Sequence, residues 1–262
     1  MVNKVGYFLN IFSARYILGS LVKRDLVSRY RRSFIGVAWT LLTPLGTVAV
    51  IGGVYAIVFN TPFYSFVPML FSALMPWFFI SQCAEGGTMS FIGAEGFITQ
   101  TRTPIEIFPV RTSVGAFINL LIGMVAFFLV YAYINPLSIN WNTLYIIPGF
   151  AIIFVFGTAL SNITSLVNVY IRDFAPLQSL ILQALFYITP IIYPIEIMKE
   201  HGYEGIYLYN PFYYLIEIVR EPALGKNPSL DIWIISIIIS IFIFIISVVA
   251  IRKIGRKIVF KF

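Results

Sequence analysis

The chain has 262 residues, of which 59% are hydrophobic and only 11% charged, and its formal net charge is +7. Soluble domains carry about 25% charged residues, so this composition is typical of an integral membrane protein and argues against a soluble enzyme. The one cysteine, Cys83, excludes an intramolecular disulfide.

The N-terminal segment, residues 1–34, predicts an amphipathic helix lying in the membrane interface. If residues 15–32 are helical, one broad face carries apolar side chains: Leu18, Leu21, Val22, Leu26 and Tyr30. Asp25 and Arg29 interrupt that face at a spacing of four residues and can pair with each other. Two interpretations of the basic residues stay open here. They anchor the chain and attract anionic headgroups, or the helix docks a partner protein.

Four long intervals without any charged residue predict the membrane spans, because a helix needs about 20 apolar residues to cross a bilayer core. These intervals contain 52, 60, 22 and 20 residues. The two longest each hold two spans, separated at the turn-rich residues 60–68 and 135–142. Backbone groups in lipid must bond internally, so the spans are helices. The predicted fold is an all-α membrane protein with six transmembrane helices, near residues 35–59, 66–84, 109–134, 144–170, 175–194 and 231–251.

The distribution of lysine and arginine predicts the orientation of these spans. Six spans place both termini on one side, and that side carries 15 of the 18 basic residues. The other three are Lys199, Arg220 and Lys226. The excess predicts that both termini are cytoplasmic, and it accounts for the basic pI without nucleic acid.

Two loops depart from simple connections between spans. Residues 85–109 mix glycines with apolar and charged side chains, and they suit a short helix that ends before Pro104. This loop is either a solvated connection or a docking element. Residues 195–229 are too charged to span, yet they hold six aromatic residues between 203 and 214. They predict re-entrant or interfacial short helices broken between Asn210 and Pro211.

The spans themselves offer little for chemistry. They contain almost no ionisable side chains, although ion-coupled transporters and intramembrane enzymes depend on such groups. The only histidine, His201, falls in an external loop. The stretch "EPALGKNP" lacks the glycine and hydroxyl of a phosphate-binding loop. We therefore expect no catalytic residue, no metal site and no cofactor on this chain, and any energy source would be a separate polypeptide.

Four stretches in the right order resemble the membrane subunits of ABC-2 type polysaccharide exporters, the O-antigen and teichoic acid exporter permeases. They are "KRDLVSRYRRSFIGVAWTLLTPL", "TQTRTPIEIFPV", "YIRDFAPLQSLILQALFYITPIIYP" and "YNPFYYLIEIVREPAL". The resemblance covers nearly the whole chain as one domain. It implies a homodimer in the bacterial or archaeal cytoplasmic membrane, paired with a separate ATPase that carries ATP and Mg. It also implies export of a lipid-linked polysaccharide through a channel formed mainly by spans one and five.

The resemblance also assigns roles to residues. Those implied to dock the ATPase are Arg29, Arg31, Arg32, Glu95, Phe97, Arg102, Arg172 and Asp173. Those implied to line the channel or contact glycan are Trp39, Phe186, Tyr187 and Tyr193. Those implied to form an external gate are Tyr209, Phe212, Tyr213 and Tyr214. For each aromatic residue, a place in the belt at the membrane–water interface stays an alternative. An ABC-2 permease for a drug or small lipid, and a membrane scaffold, are the competing functions.

Overall fold

A computed structural model gives the fold and describes residues 6–30, 39–58, 62–101, 103–135, 140–255 and 258. These residues form α-helices and short 3₁₀ turns with no strand among them, so the all-α prediction is confirmed. The helices are α1 (Tyr7–Ser13), α2 (Arg15–Tyr30), α3 (Trp39–Val58), α4 (Phe63–Ser90), α5 (Glu95–Gln100), α6 (Ile107–Ile134), α7 (Ile146–Tyr170), α8 (Phe174–Ile188), α9 (Ile195–Glu200), α10 (Glu204–Leu208), α11 (Pro211–Ala223) and α12 (Leu230–Ile254).

Four helices in the described part of the chain are long and apolar enough to cross a membrane. They are α4, α6, α12, and α7 together with the 3₁₀ turn Trp141–Tyr145 before it. The apolar helices α3 and α8 are shorter. At 1.5 Å per residue, α8 measures about 22 Å against a bilayer core of about 30 Å. Four of the six predicted spans therefore correspond to helices long enough to cross the membrane, and spans one and five stay predictions.

Helix α8 ends at Ile188, six residues short of the end of the span predicted over 175–194. Thr189 follows its last residue with φ −83° and ψ 135°, an extended conformation. This geometry is expected because Pro190 comes next, and proline pushes the preceding residue out of the helical region. The interval without charged residues predicts one long span here, whereas Pro190 ends the helix inside that interval.

Helix α4 occupies the centre of the bundle and contacts α3, α6, α7, α8 and α11. Its large apolar side chains are fully buried, as at Leu70, Phe71 and Ile80. It continues to Ser90, beyond the predicted end at residue 84. The reason is close contact between α7 and these added turns, where a Cβ at Gly87 would lie 2.9 Å from the Cα of Ser161. Small residues at such crossings let helix backbones approach each other.

The bundle has two distinct ends. At the first, called the α5 end, α1, α2, α5 and the last turns of α7 and α12 enclose a small apolar cluster. Asn168 near the end of α7 donates to the carbonyl of Thr88 near the end of α4, at 2.9 Å. At the opposite end, called the α11 end, α11 packs against α4, α7 and α12. The polar 3₁₀ turn before α7 joins it, since Asn140 donates to the carbonyl of Gly225 at 2.9 Å.

The N-terminal helix α1 is fastened to the α5 end by a buried polar network. The side-chain amide of Asn162 on α7 donates to the hydroxyl of Tyr7 at 3.0 Å and to that of Ser247 on α12 at 3.2 Å. Burial raises the pKa of Tyr7 to about 12, so the phenol stays neutral. Asn10 donates to the carboxylate of Glu106 at 2.8 Å. Residues near both chain termini therefore lie at the same end of the bundle.

Candidate functional site

The short helix α5 projects at the α5 end and is joined to α2 by an aromatic contact. The guanidinium carbon of Arg24 lies 5.5 Å from the centroid of the Phe97 ring, and that ring lies 6.4 Å from the ring of Phe108. Such a cation–π contact links the two elements without closing the surface. Because α5 ends at Gln100, the prediction of a short helix ending before Pro104 is confirmed.

The residues assigned to ATPase docking divide between this end and undescribed parts of the chain. Phe97 is half-buried, and Glu95, Arg172 and Asp173 are exposed. Arg172 and Asp173 form the turn between α7 and α8. Helix α7, which precedes this turn, ends beside α4 at the α5 end. Arg29 belongs to α2, and its side chain is not described. The predictions for Arg31, Arg32 and Arg102 lie outside the described residues.

Helix α2 packs on α6, and Leu21 and Val22 of the predicted apolar face are buried. The carboxylate of Asp25 forms a bidentate ion pair with Arg111 on α6. The pairing of Asp25 with Arg29 stays a prediction, because the side chain of Arg29 is not described. Nearby, Asn119 donates to Gln82 on α4 at 2.7 Å. The ion pair between Asp25 and Arg111 ties the predicted interface helix to the bundle, and Arg111 does not reach outward as a free charge.

A cleft between α4 and α8 combines aromatic and polar side chains. It encloses about 300 Å³, at the lower limit of the ~300–1,000 Å³ typical of small-molecule sites. The residues that line it are Trp77, Phe78, Ser81, Glu85, Ser179, Leu182, Gln183, Phe186 and Tyr187. The rings of Trp77 and Phe186 lie 5.7 Å apart, and Tyr187 meets Phe186 edge-on at 5.4 Å. Hydroxyl, amide and carboxylate groups beside aromatic faces can bind the polar and apolar sides of a sugar ring.

The aromatic residues assigned to the channel do not all lie in this cleft. Phe186 and Tyr187 line it, whereas Trp39 is the first residue of α3 and is 46% exposed. The hydroxyl of Tyr193 donates to the carbonyls of Tyr187 and Ile188, each at 3.1 Å. The Tyr193 hydroxyl therefore caps the end of α8, and its role in the channel stays a prediction.

The α11 end carries the residues assigned to an external gate, and the predicted break before Pro211 is confirmed. The side chain of Asn210 caps α11 by accepting from the amide of Phe212 at 3.0 Å, and proline occupies the first helical position. Tyr209 is 91% exposed, whereas Phe212 packs against the core of the bundle. Tyr213 is half-buried and meets the ring of Tyr207, while Tyr214 is buried. These four residues thus occupy different environments.

A buried ion pair inside α11 was not predicted. Glu217 and Arg220 are 3% and 5% exposed, and the guanidinium pairs with the carboxylate through two nitrogens. The same guanidinium donates to the carbonyl of Pro190, just past the end of α8, at 2.8 Å. The amide of Asn210 donates to the hydroxyl of Thr189 at 2.8 Å. These two contacts, called the α8–α11 latch, join the end of α8 to α11.

A sequence signal for the pair existed, because Glu217 and Arg220 are three residues apart on one helix face. The count of charges had placed both residues in an external segment, where such charges are ordinarily solvated. Burial also affects the next carboxyl, since it raises the pKa of Glu221 to about 7, with the Glu217 carboxylate adding to the effect. The described residues contain no cluster of three or more potential metal ligands.

Comparison with known proteins adds a second line of observation. The model of the ABC-2 type transporter membrane family matches residues 16–224. The chain is 28% identical over 241 residues to an O-antigen export system permease protein RfbA of Klebsiella pneumoniae, covering 91% of this chain and 88% of that protein. It is 27% identical over 204 residues to RfbA of Myxococcus xanthus, covering 76% of each. It is 20% identical over 208 residues to the polysialic acid transport protein KpsM of Escherichia coli, covering 78% of this chain and 80% of that one.

Proposed function

The chain belongs to the ABC-2 type transporter membrane family, and from this premise we propose that it is the permease subunit of an ATP-driven polysaccharide exporter. The substrate is a lipid-linked polysaccharide resembling O-antigen or teichoic acid. Two copies of the chain form the channel, and a separate ATPase supplies the energy. The protein lies in the cytoplasmic membrane with both termini on the cytoplasmic side.

The cleft between α4 and α8 is the observation that carries the choice of substrate class. Tyr187 presents an exposed aromatic ring beside the half-buried Phe186, and Ser179 and Gln183 offer hydroxyl and amide groups next to it. A sugar ring has apolar C–H faces and a rim of hydroxyls, so this combination suits it better than it suits a purely apolar lipid or drug. The names of the relatives, which concern O-antigen and polysialic acid, support the same class.

The α5 end is the surface proposed for the ATPase. Helix α5 and the turn at Arg172 and Asp173 project there together with α2, and Arg24 connects α2 to α5 through Phe97. A movement of α5 is transmitted to α4 and α6, because α5 lies between them in the chain. This chain carries the movement, while ATP and Mg belong to the partner.

The α8–α11 latch gives the proposed gate a mechanical connection to the channel. Arg220 and Asn210 hold the residues just past α8, so a displacement of α8 pulls directly on α11. Since α11 is packed against three other helices, that pull acts on its contacts with α4, α7 and α12. Opening on the external side then follows movement of the channel helix.

The experiment is complementation of a deletion strain with cleft variants. Tyr187→Ala and Gln183→Ala are expected to leave lipid-linked glycan accumulated inside the cell, because the cleft loses a stacking face or a hydrogen-bonding amide. The matched control is Tyr133→Ala on α6, whose side chain is 88% exposed. The measurement is intracellular lipid-linked glycan, together with recovery of the ATPase on the purified permease.

The two readouts separate the possible failures. Variants that keep the ATPase but accumulate glycan support a role of the cleft in transport. Deletion without any glycan accumulation would reject the polysaccharide substrate and favour export of a drug or small lipid. Failure of the wild-type chain to co-purify with any ATPase would reject the exporter assignment altogether.

A further inference from the structure

A second concave surface lies between α2 and α6, away from the aromatic cleft. It encloses about 540 Å³, within the range of ligand sites. Seven of its lining residues are apolar or glycine: Leu18, Gly19, Val22, Leu26, Val27, Val114 and Ile118. The other two are Arg15 and Lys23. This surface is called the α2–α6 groove.

The two cations lie on the same side of α2, at the rim of the groove. They are eight residues apart, which is about 12 Å along a helix. The guanidinium carbon of Arg15 lies 4.5 Å from the ring centroids of both Phe12 and Tyr16, which hold it at the rim. It donates one N–H to the carbonyl of Phe12 and one to the hydroxyl of Tyr16. A guanidinium has five donors, so others remain for a ligand.

No acidic group neutralises these cations among the described residues. The nearest carboxylate on α2 is that of Asp25, and Arg111 occupies both of its oxygens. Lys23 is exposed and forms no ion pair within the described residues. The rim therefore carries a net charge of +2 above an apolar floor.

The floor is open to a ligand because Gly19 leaves space at its centre. A side-chain carbon built at Gly19 would meet no atom within 4 Å. Glycine inside a helix costs about 1 kcal/mol relative to alanine, so nothing in helix formation favours it there. Val27 at one end of the groove is 57% exposed. Contact with water would not stabilise this apolar side chain.

We propose that the α2–α6 groove binds one anionic phospholipid, whose phosphate pairs with Arg15 or Lys23 and whose acyl chain lies over Gly19. The charge complementarity selects an anionic headgroup, and the apolar floor selects an acyl chain over a free phosphate. A bound lipid fills the space between α2 and α6 and stiffens their contact. The site is separate from the glycan cleft, so it stands whether or not the substrate assignment is correct.

The test is native mass spectrometry of the purified full-length chain with phosphatidylglycerol and phosphatidylcholine of identical acyl chains. The wild type is expected to prefer phosphatidylglycerol by about thirtyfold, if each cation contributes the usual interaction with an anionic surface. Arg15→Gln with Lys23→Gln is expected to reduce that preference to near parity. Gly19→Leu is expected to reduce retention of both lipids, because its side chain fills the groove.

Two matched variants control for general effects. Gly53→Leu adds the same side chain on α3, where a Cβ also meets no atom within 4 Å. Lys199→Gln removes one charge from an exposed lysine on α9. Both are expected to bind lipid as the wild type does. Equal binding of the two lipids by the wild type, or an unchanged preference in the doubly neutralised variant, overturns the proposal. Loss of the ATPase with unchanged lipid binding in Gly19→Leu overturns it too, since the groove would then belong to the partner protein.

Discussion

Replacing one member of the buried pair in α11 is expected to destabilise the protein strongly. Arg220→Met leaves the carboxylate of Glu217 charged and unpaired at 3% exposure, and it removes the donor to the Pro190 carbonyl. Breaking a buried ion pair costs about 3–5 kcal/mol, and the orphaned carbonyl places this variant at the upper end. Glu217→Gln keeps the bond to Pro190 and an amide oxygen for the guanidinium, so its cost lies near the lower end.

The double variant Glu217→Leu with Arg220→Met separates charge from packing. It buries no charge, and replacing a buried pair by apolar side chains is often neutral or stabilising by about 1–4 kcal/mol. That gain offsets the roughly 1–3 kcal/mol lost at the Pro190 carbonyl. The double variant is therefore expected near the wild type, with Glu217→Gln below it and Arg220→Met lowest.

Thermal unfolding in detergent measures this order. About 2–4 °C per kcal/mol applies to a chain of this size, so Arg220→Met is expected to lower the midpoint by roughly 8–20 °C. The control is Arg172→Met, which removes an exposed arginine from the turn before α8. Midpoints of both single variants within 2 °C of the wild type, or a double variant as unstable as the sum of the two, would refute the reasoning.

Two further predictions concern a carboxyl and a glycine. The raised pKa of Glu221, due first to burial and then to Glu217, means that the folded protein holds a proton that the unfolded chain has released between pH 4.5 and about 7. The thermal unfolding midpoint is therefore highest below this pH window and falls as the pH rises through it. Glu221→Gln should make the midpoint less dependent on pH in this window. An unchanged pH dependence in this variant would contradict the prediction. Gly87→Leu should cost at least about 1–3 kcal/mol, because even a Cβ there would lie 2.9 Å from the Cα of Ser161. A Cβ at Gly53 meets no atom within 4 Å, so Gly53→Leu should unfold near the wild-type midpoint.

The sequence predicted the helices whose limits depend on local chemistry. The start of α11 follows from Asn210 and Pro211, which supply a cap and a fixed φ. The end of α5 before Pro104 follows from the same kind of rule. Composition alone predicted the apolar helices α6, α7 and α12 within a few residues.

Features that depend on contacts between distant segments could not be read from the sequence. Glu85 marked the apparent end of a span, yet α4 continues because α7 packs against the turns that follow. Arg220 counted as an external charge, although the fold encloses it beside Glu217. The pairing of Asp25 with Arg111 joins residues 86 positions apart, a separation that no local rule anticipates.

The network at Tyr7 sets an order on biosynthesis. One of its members, Ser247, is made 240 residues after Tyr7 (247 − 7), so α1 waits for its complete docking site through nearly the whole of translation. At 5–20 residues per second this interval is roughly 12–48 s. Docking of α1 thus reports that α12 has been inserted, and it makes the first helix of the chain one of the last to reach its place.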